Sequence, residues 1–211
     1  MITEAMLEGL RESLAGKMSG KRYRHTVEVE RMAASLGELY APDKILLLRG
    51  AALLHDITKE YKTEYQLMLC ARYDLTVTKE DLFAPKTFHA RTAAAVIPDE
   101  YPDFADGELI SCVRFHTTGR RGMTLCEQLV YLADYIDLSR TFEDCVRLRN
   151  YFFDAHPEEM GGKERLAHLR NTLILSFDMT MRGLLEEGTP ISADSFEARN
   201  ELIAQKLSEN S

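Results

Sequence analysis

No two of the four cysteines, Cys70, Cys112, Cys126 and Cys145, form a C-x-x-C pair, and they are too sparse for a disulfide framework. That spacing excludes a thiolate zinc site and a stapled scaffold, and leaves small buried hydrophobes in a reducing compartment. Basic residues are in deficit: 26 Lys and Arg face 34 Asp and Glu, a net charge of -8. Binding nucleic acid through a diffuse surface needs many cations to release counterions, so no nucleic-acid partner is expected. A small anionic ligand stays open, provided a local positive site holds it. The N-terminal stretch MITEAMLEGLRESLAGK has no uninterrupted apolar run and places Glu4, Glu8, Arg11 and Glu12 at helical spacing. Neither signal peptide nor membrane anchor is expected, and the protein reads as cytoplasmic with no membrane partner. Strand-type alternation between hairpin turns is missing too, as are internal repeats, low-complexity tracts and any linker long enough to divide the chain.

What is present is a 3.6-residue apolar period in nearly every segment, within a 211-residue chain that is 45% hydrophobic. The fold class is therefore all-α. The period predicts helices over 2–16, 20–40, 43–56, 63–74, 88–97, 106–116, 124–138, 142–153, 163–187 and 192–208. Punctuation supports these cuts, with Pro42-Asp43 opening one helix, Thr63 and Thr124 placed to cap others, and Gly161-Gly162 and Gly188-Thr189-Pro190 separating the last long ones. Residues 1–18 read as a helical extension and 19–208 as one domain.

Four of the six histidines fall on apolar stripes. His25 continues Val29, Met32 and Leu36; His55 continues Leu48, Ala51 and Ala52; His89 precedes Ala93 and Val96; His116 follows Leu109, Cys112 and Val113. Residues three, four and seven apart share a helix face, so all four point inward. A lone inward histidine is ordinarily a satisfied core residue, but four together are met more simply by one shared metal or polyanion. His156, before Pro157, and His168, among charged residues, read as surface positions. Asp134 lies in LCEQLVYLADYIDLSR with Val130, Tyr131 and Leu138 around it, and reads as a buried carboxylate that needs a partner. Asp137, one turn on, reads equally well as a solvated helix residue. The candidate ligands are thus His25, His55, Asp56 and Asp134, with His89 and His116 as a second ring. Imidazole and carboxylate without thiolate suit iron or manganese, and zinc remains compatible with the donor types.

The order His25, His55-Asp56, Asp134 resembles the H…HD…D pattern of the HD-domain metal-dependent phosphohydrolases. RYRHT, ALLHDITK, the isolated His89, FHTTGRRGMT, YLADYIDLSR and ISADSFEARN, spread from about residue 20 to about residue 203, resemble in order the bacterial YqeK-type family of symmetrical dinucleoside tetraphosphate hydrolases. Arg91 stands where that family usually has a small residue or proline. The resemblance implies an all-α HD bundle with additional C-terminal helices. It also implies a divalent transition metal, iron first with Mn, Co or Zn as alternatives, and cleavage of diadenosine tetraphosphate to two ADP by a water that the metal activates. A small-molecule nucleotide is then the partner, and a homodimer is compatible with the reading.

Phosphoanhydride hydrolysis needs a nucleophilic water, charge neutralisation and in-line placement. Asp56 is expected to orient or deprotonate that water. Lys59 either steadies Asp56 or a phosphate, or is a solvated helix end. Arg22 and Arg140 are the candidate guanidinium clamps, with surface ion pairing as the bland alternative. His89 and His116 either complete a second metal site or contact phosphates, and phosphate contact is preferred because no further carboxylate in these blocks belongs obviously to a second ion. Thr117 can add a hydroxyl, and Pro190-Ile191-Ser192 matches a family segment that approaches the nucleoside, which makes Ile191 a substrate contact. Two rival functions stand beside this one: an HD phosphohydrolase for a nucleoside monophosphate or guanosine polyphosphate, and a non-catalytic nucleotide-binding HD protein.

Overall fold

The computed structural model describes residues 1–209 and contains, among them, ten α-helices and no strand. They are α1 (Glu4–Ala15), α2 (Gly20–Tyr40), α3 (Ile45–Leu54), α4 (Thr63–Arg72), α5 (Phe88–Glu100), α6 (Gly107–Phe115), α7 (Leu125–Ile136), α8 (Glu143–Phe153), α9 (Gly162–Glu186) and α10 (Ala193–Glu209). Each expected helix is present. Several ends are set by chemistry that periodicity does not carry. Ser19 caps α2 and Asp106 caps α6, while Thr124 and Glu127 cap α7 reciprocally, satisfying amides that a bare helix end leaves unpaired. Helix α3 stops at Leu54 rather than 56, and residues 55–60 form a turn. Helix α5 continues past Pro98 to Glu100, and short 3-10 turns fill Pro42–Lys44, Asp81–Phe83, Pro85–Thr87 and Pro102–Phe104.

The core is centred on α2, α3, α6 and α7. Val29, Ala33 and Leu36 of α2, Leu48, Ala51 and Ala52 of α3, and Leu129, Leu132 and Ala133 of α7 are all fully buried in one cluster. The small residues of α3 let these helices approach closely, and this brings the end of α3 into the middle of the molecule. Helices α8, α9 and α10 form a second layer against α7, with Tyr131 stacked on Phe177 at 4.7 Å between ring centroids.

Helix α1 joins the same core through Leu7, Leu10 and Leu14. It is fastened by Arg11, which donates to both oxygens of the buried Glu30 at 2.6 Å, and Arg49 shares that carboxylate at 3.0 Å. One sequence expectation is corrected here. His168 is buried rather than on the surface, its Nε2 lies 2.9 Å from the Phe152 carbonyl oxygen, and its ring stacks on Tyr151 and Phe152. Its charged sequence neighbours occupy the other faces of α9, so local polarity misrepresented the one face that packs on α8.

Because Leu14 is fully buried, Leu14→Ala is expected to lower unfolding free energy by about 2–5 kcal/mol. Urea denaturation measures it, and a loss below about 0.5 kcal/mol would show that α1 does not share the core.

Candidate metal centre

Five helices deliver their polar ends to one point. His25 comes from α2, His55 and Asp56 from the turn after α3, His89 from the first turn of α5, His116 from the residue after α6, and Asp134 from α7. Three of these histidines are oriented by the backbone carbonyl three residues before them. The Nδ1 of His55 lies 2.6 Å from the carbonyl oxygen of Ala52, that of His116 lies 2.7 Å from Val113, and that of His89 lies 2.8 Å from Lys86. A carbonyl only accepts, so each Nδ1 carries the proton and each Nε2 presents a lone pair.

These lone pairs converge on Asp56. Its Oδ2 is 3.3 Å from His55 Nε2 and 3.7 Å from His25 Nε2, and its Oδ1 is 3.2 Å from His89 Nε2 and 3.6 Å from His116 Nε2. His25 Nε2 also faces Asp134 Oδ1 at 3.0 Å, and the Nε2 atoms of His89 and His116 are 3.1 Å apart. Acceptors pressed together in a buried site repel unless a cation stands between them. His25 Nε2, His55 Nε2 and Asp56 Oδ1 are buried without a hydrogen-bond partner among the described residues. Two triads, His25–His55–Asp134 and His55–Asp56–His116, each bring their donor atoms within 4.8 Å of one another. This donor set, with its protonated Nδ1 atoms facing away, fits divalent metal binding.

A model of the HD domain matches residues 22–139. The chain belongs to the HD-domain family. Within that family, the symmetrical bis(5'-nucleosyl)-tetraphosphatase of Bacillus subtilis is 30% identical over 89% of this chain and 92% of its own length. The equivalent protein of Halalkalibacterium halodurans is 28% identical over 88% and 90%, and that of Staphylococcus aureus is 32% identical over 65% and 70%. Among solved structures, an HD superfamily hydrolase from Clostridium acetobutylicum, described as involved in NAD metabolism, superposes with a TM-score of 0.80. It is 27% identical, over 94% of this chain and 97% of that one.

Two further residues of the HD domain belong to the centre. Asp137, fully buried, lies with Oδ2 3.3 Å from His25 Nδ1 and 3.3 Å from Arg140 Nε, and its Oδ1 accepts from the Ser139 amide at 2.8 Å. Ser139 Oγ also sits 3.3 Å from His25 Nδ1. Asp137 therefore orients His25 as the carbonyls orient the other three rings. The even reading of Asp137 as a solvated residue is corrected: α7 ends at Ile136, so Asp137 leaves the helical track and turns back. The D-x-S spacing of an Asx-turn was the available signal. Asp134 is also less enclosed than expected, with 17% of its side chain exposed.

Burial works to raise the pKa of Asp56, but His55, His116 and His89 outweigh it and hold the carboxyl well below its ordinary range. Burial pushes His89 down to about 4 against the pull of Asp56, and lowers His116 likewise. Both rings are therefore neutral near pH 7. Lys59 is half-buried, with Nζ 3.1 Å from His89 Nε2, and burial lowers its pKa. Arg22 pairs with Asp56, and Arg140 pairs with Asp134. Thr117 Oγ1 bonds His89 and His116 at 3.1 and 3.0 Å.

A cavity of about 390 Å³ opens beside the centre, walled by Lys59, His116, Thr117, Asp134, Tyr135 and Arg140 among others. Arg22, His25, His55, Asp56 and His89 lie behind that wall, and Ile191 is set apart from it. It lies in an adjoining cavity of about 450 Å³.

Burial pushes the His25 imidazole down, but the close carboxylates of Asp134 and Asp137 prevail and raise its pKa from 6.5 to about 9. In metal-free protein that proton stabilises the fold fully below pH 6.5, and the contribution is lost as pH rises through about 9. The melting-temperature gap between chelator-treated wild type and His25→Gln is thus expected to narrow between these limits; a constant gap would refute the coupling.

Proposed function

We propose that the chain hydrolyses diadenosine tetraphosphate and related dinucleoside polyphosphates symmetrically, giving two ADP. A divalent metal is held by His25, His55, Asp56 and Asp134. The observation that carries this reading is the convergence of unprotonated Nε2 atoms on the buried Asp56 carboxylate, beside a cavity with cationic groups on its wall. Membership of the HD family and the names of three relatives support the reaction. Iron is the metal we favour, and Mn, Co and Zn also suit the donor set. Free, buried cysteines suit a reducing cytoplasm.

When bound, such a cation lowers the pKa of a water and polarises a phosphoryl oxygen. Asp56 orients the attacking water and accepts its proton. The water oxygen bonds to one of the two central phosphorus atoms while the bridging P–O bond on its far side breaks. The bridging oxygen departs on the second ADP, so each product keeps two phosphates. Arg140 and Arg22, which pair with Asp134 and Asp56 in this structure, are placed to share their guanidinium donors with phosphate oxygens. Lys59 and the Thr117 hydroxyl add donors on the His89–His116 side. A local cluster of this kind lets a protein of net charge -8 take up a polyanion.

His89 and His116 fit a second ion better than the phosphate contact preferred on sequence grounds. Both are neutral and both direct lone pairs toward Asp56 Oδ1, so His89, His116 and Asp56 would hold it. Asp56 is thus the carboxylate that the sequence lacked for the second site.

Metal-loaded wild type is expected to give ADP alone from diadenosine tetraphosphate, read by product chromatography. Any ATP and AMP would signal asymmetric cleavage, and no turnover with Fe, Mn, Co or Zn would overturn the reading. Asp56→Ala is expected to lower kcat by at least about 10²–10⁴-fold. Metal analysis of purified protein is expected to find two ions per chain; a single ion, with His89→Ala leaving metal content unchanged, would restore phosphate contact for that ring.

A further inference from the structure

A dinucleoside tetraphosphate has a nucleoside at each end, and the cavity beside the metal centre adjoins another. The two share Ala84, Thr87, Thr118, Pro190 and Ser192 in their walls. The seam is held by Ser195 of α10, which donates to the Thr118 carbonyl at 2.8 Å. Two charged side chains in the second cavity stand apart. Arg114, half-buried at the end of α6, lies over the Phe115 ring at 4.7 Å, and among the described residues it has no carboxylate partner. Asp194, at the start of α10, lines the same cavity and likewise has no ion pair or hydrogen bond among the described residues.

Asp81, another acid near Arg114, is already engaged. Asp81 binds Arg91 Nη1 at 3.0 Å and accepts from the Thr78 amide at 2.9 Å, while Arg91 also reaches the Thr76 carbonyl, so these groups latch the loop over residues 76–81. Burial and the neighbouring Arg91 work against the charge on Arg114 and outweigh the favourable fields of Asp194 and Asp81, neither of which makes a hydrogen bond or close ion pair with it. A half-buried guanidinium without a partner is costly unless a ligand satisfies it. The ligand is not a phosphate, because Glu80, Asp81 and Asp194 line the same space and like charges brought together there repel. A purine nucleoside suits it: the guanidinium plane stacks on a base or donates to its ring nitrogens, and a carboxylate accepts from an exocyclic amine or ribose hydroxyls. The 450 Å³ volume falls within the range of small-molecule sites.

We propose that this cavity, through Arg114 and Asp194, receives the second nucleoside of the dinucleotide and sets the preference for two-headed over one-headed polyphosphates. The proposal rests on the tetraphosphate hydrolysis argued above. Ile191 then contacts substrate from this cavity rather than from the metal-centre side.

Adenosine 5'-tetraphosphate carries the same central anhydride without the second nucleoside, and its symmetric cleavage gives ADP and pyrophosphate. With metal-loaded protein, Arg114→Gln and Asp194→Asn are each expected to raise KM for diadenosine tetraphosphate about tenfold while KM for adenosine tetraphosphate shifts less than about twofold. Melting temperature and metal content are read on the same samples. Equal losses on both substrates, or no loss on either, would overturn this inference alone. Wild type that releases no ADP from diadenosine tetraphosphate would overturn the proposed reaction and this inference with it.

Discussion

The structure depends on one carboxylate. Asp56 is nearly solvent-free and is approached by four imidazole Nε2 atoms between 3.2 and 3.7 Å. Removing an ionised carboxylate from water is costly unless cations or donors surround it. The fold meets that cost by bringing Arg22 onto one oxygen and the histidine rings around both. Because three of those rings are locked with Nδ1 protonated, their lone pairs demand a cation in return. That tension is what suits the cluster to a divalent cation.

The surrounding helices hold that tension in place. Gly50, Ala51 and Ala52 of α3 are small enough to let neighbouring helices close around it, and its abrupt end at Leu54 turns His55 and Asp56 inward. Ser19, which caps α2, also binds Glu60 through its amide at 2.8 Å, so the helix bearing His25 is tied to the turn bearing Asp56. Side chains used in this way sit on helices or on turns anchored directly to helix ends, which keeps ligand positions narrow. Electrostatics follow the same division: the chain is acidic overall, with Arg22, Lys59 and Arg140 gathered around the Asp56 centre.

Much of this was legible without coordinates. The all-α class and every helix followed from the apolar period, because amphipathic burial is a local property of spacing. The inward histidines His25, His55, His89 and His116 followed from the same argument, and all four are buried. The assembly of the site was less legible. Asp137 is undecided on spacing alone because its role arises only after α7 has ended, and His168 reads as a surface position because its charged neighbours mask a buried face.

The sequence by itself determined the elements, the ligand types and the family, since each rests on residue identity at fixed spacing. Tertiary structure decided which atoms meet. The tautomers of His55, His89 and His116 are set by the carbonyls of Ala52, Lys86 and Val113, and the central position of Asp56 among four rings is set by helices far apart in the chain. The separation of Ile191 and Arg114 from the metal centre into an adjoining cavity is likewise a matter of packing. Spacing along one helix fixes a direction, but distances between helices depend on the core that holds them together.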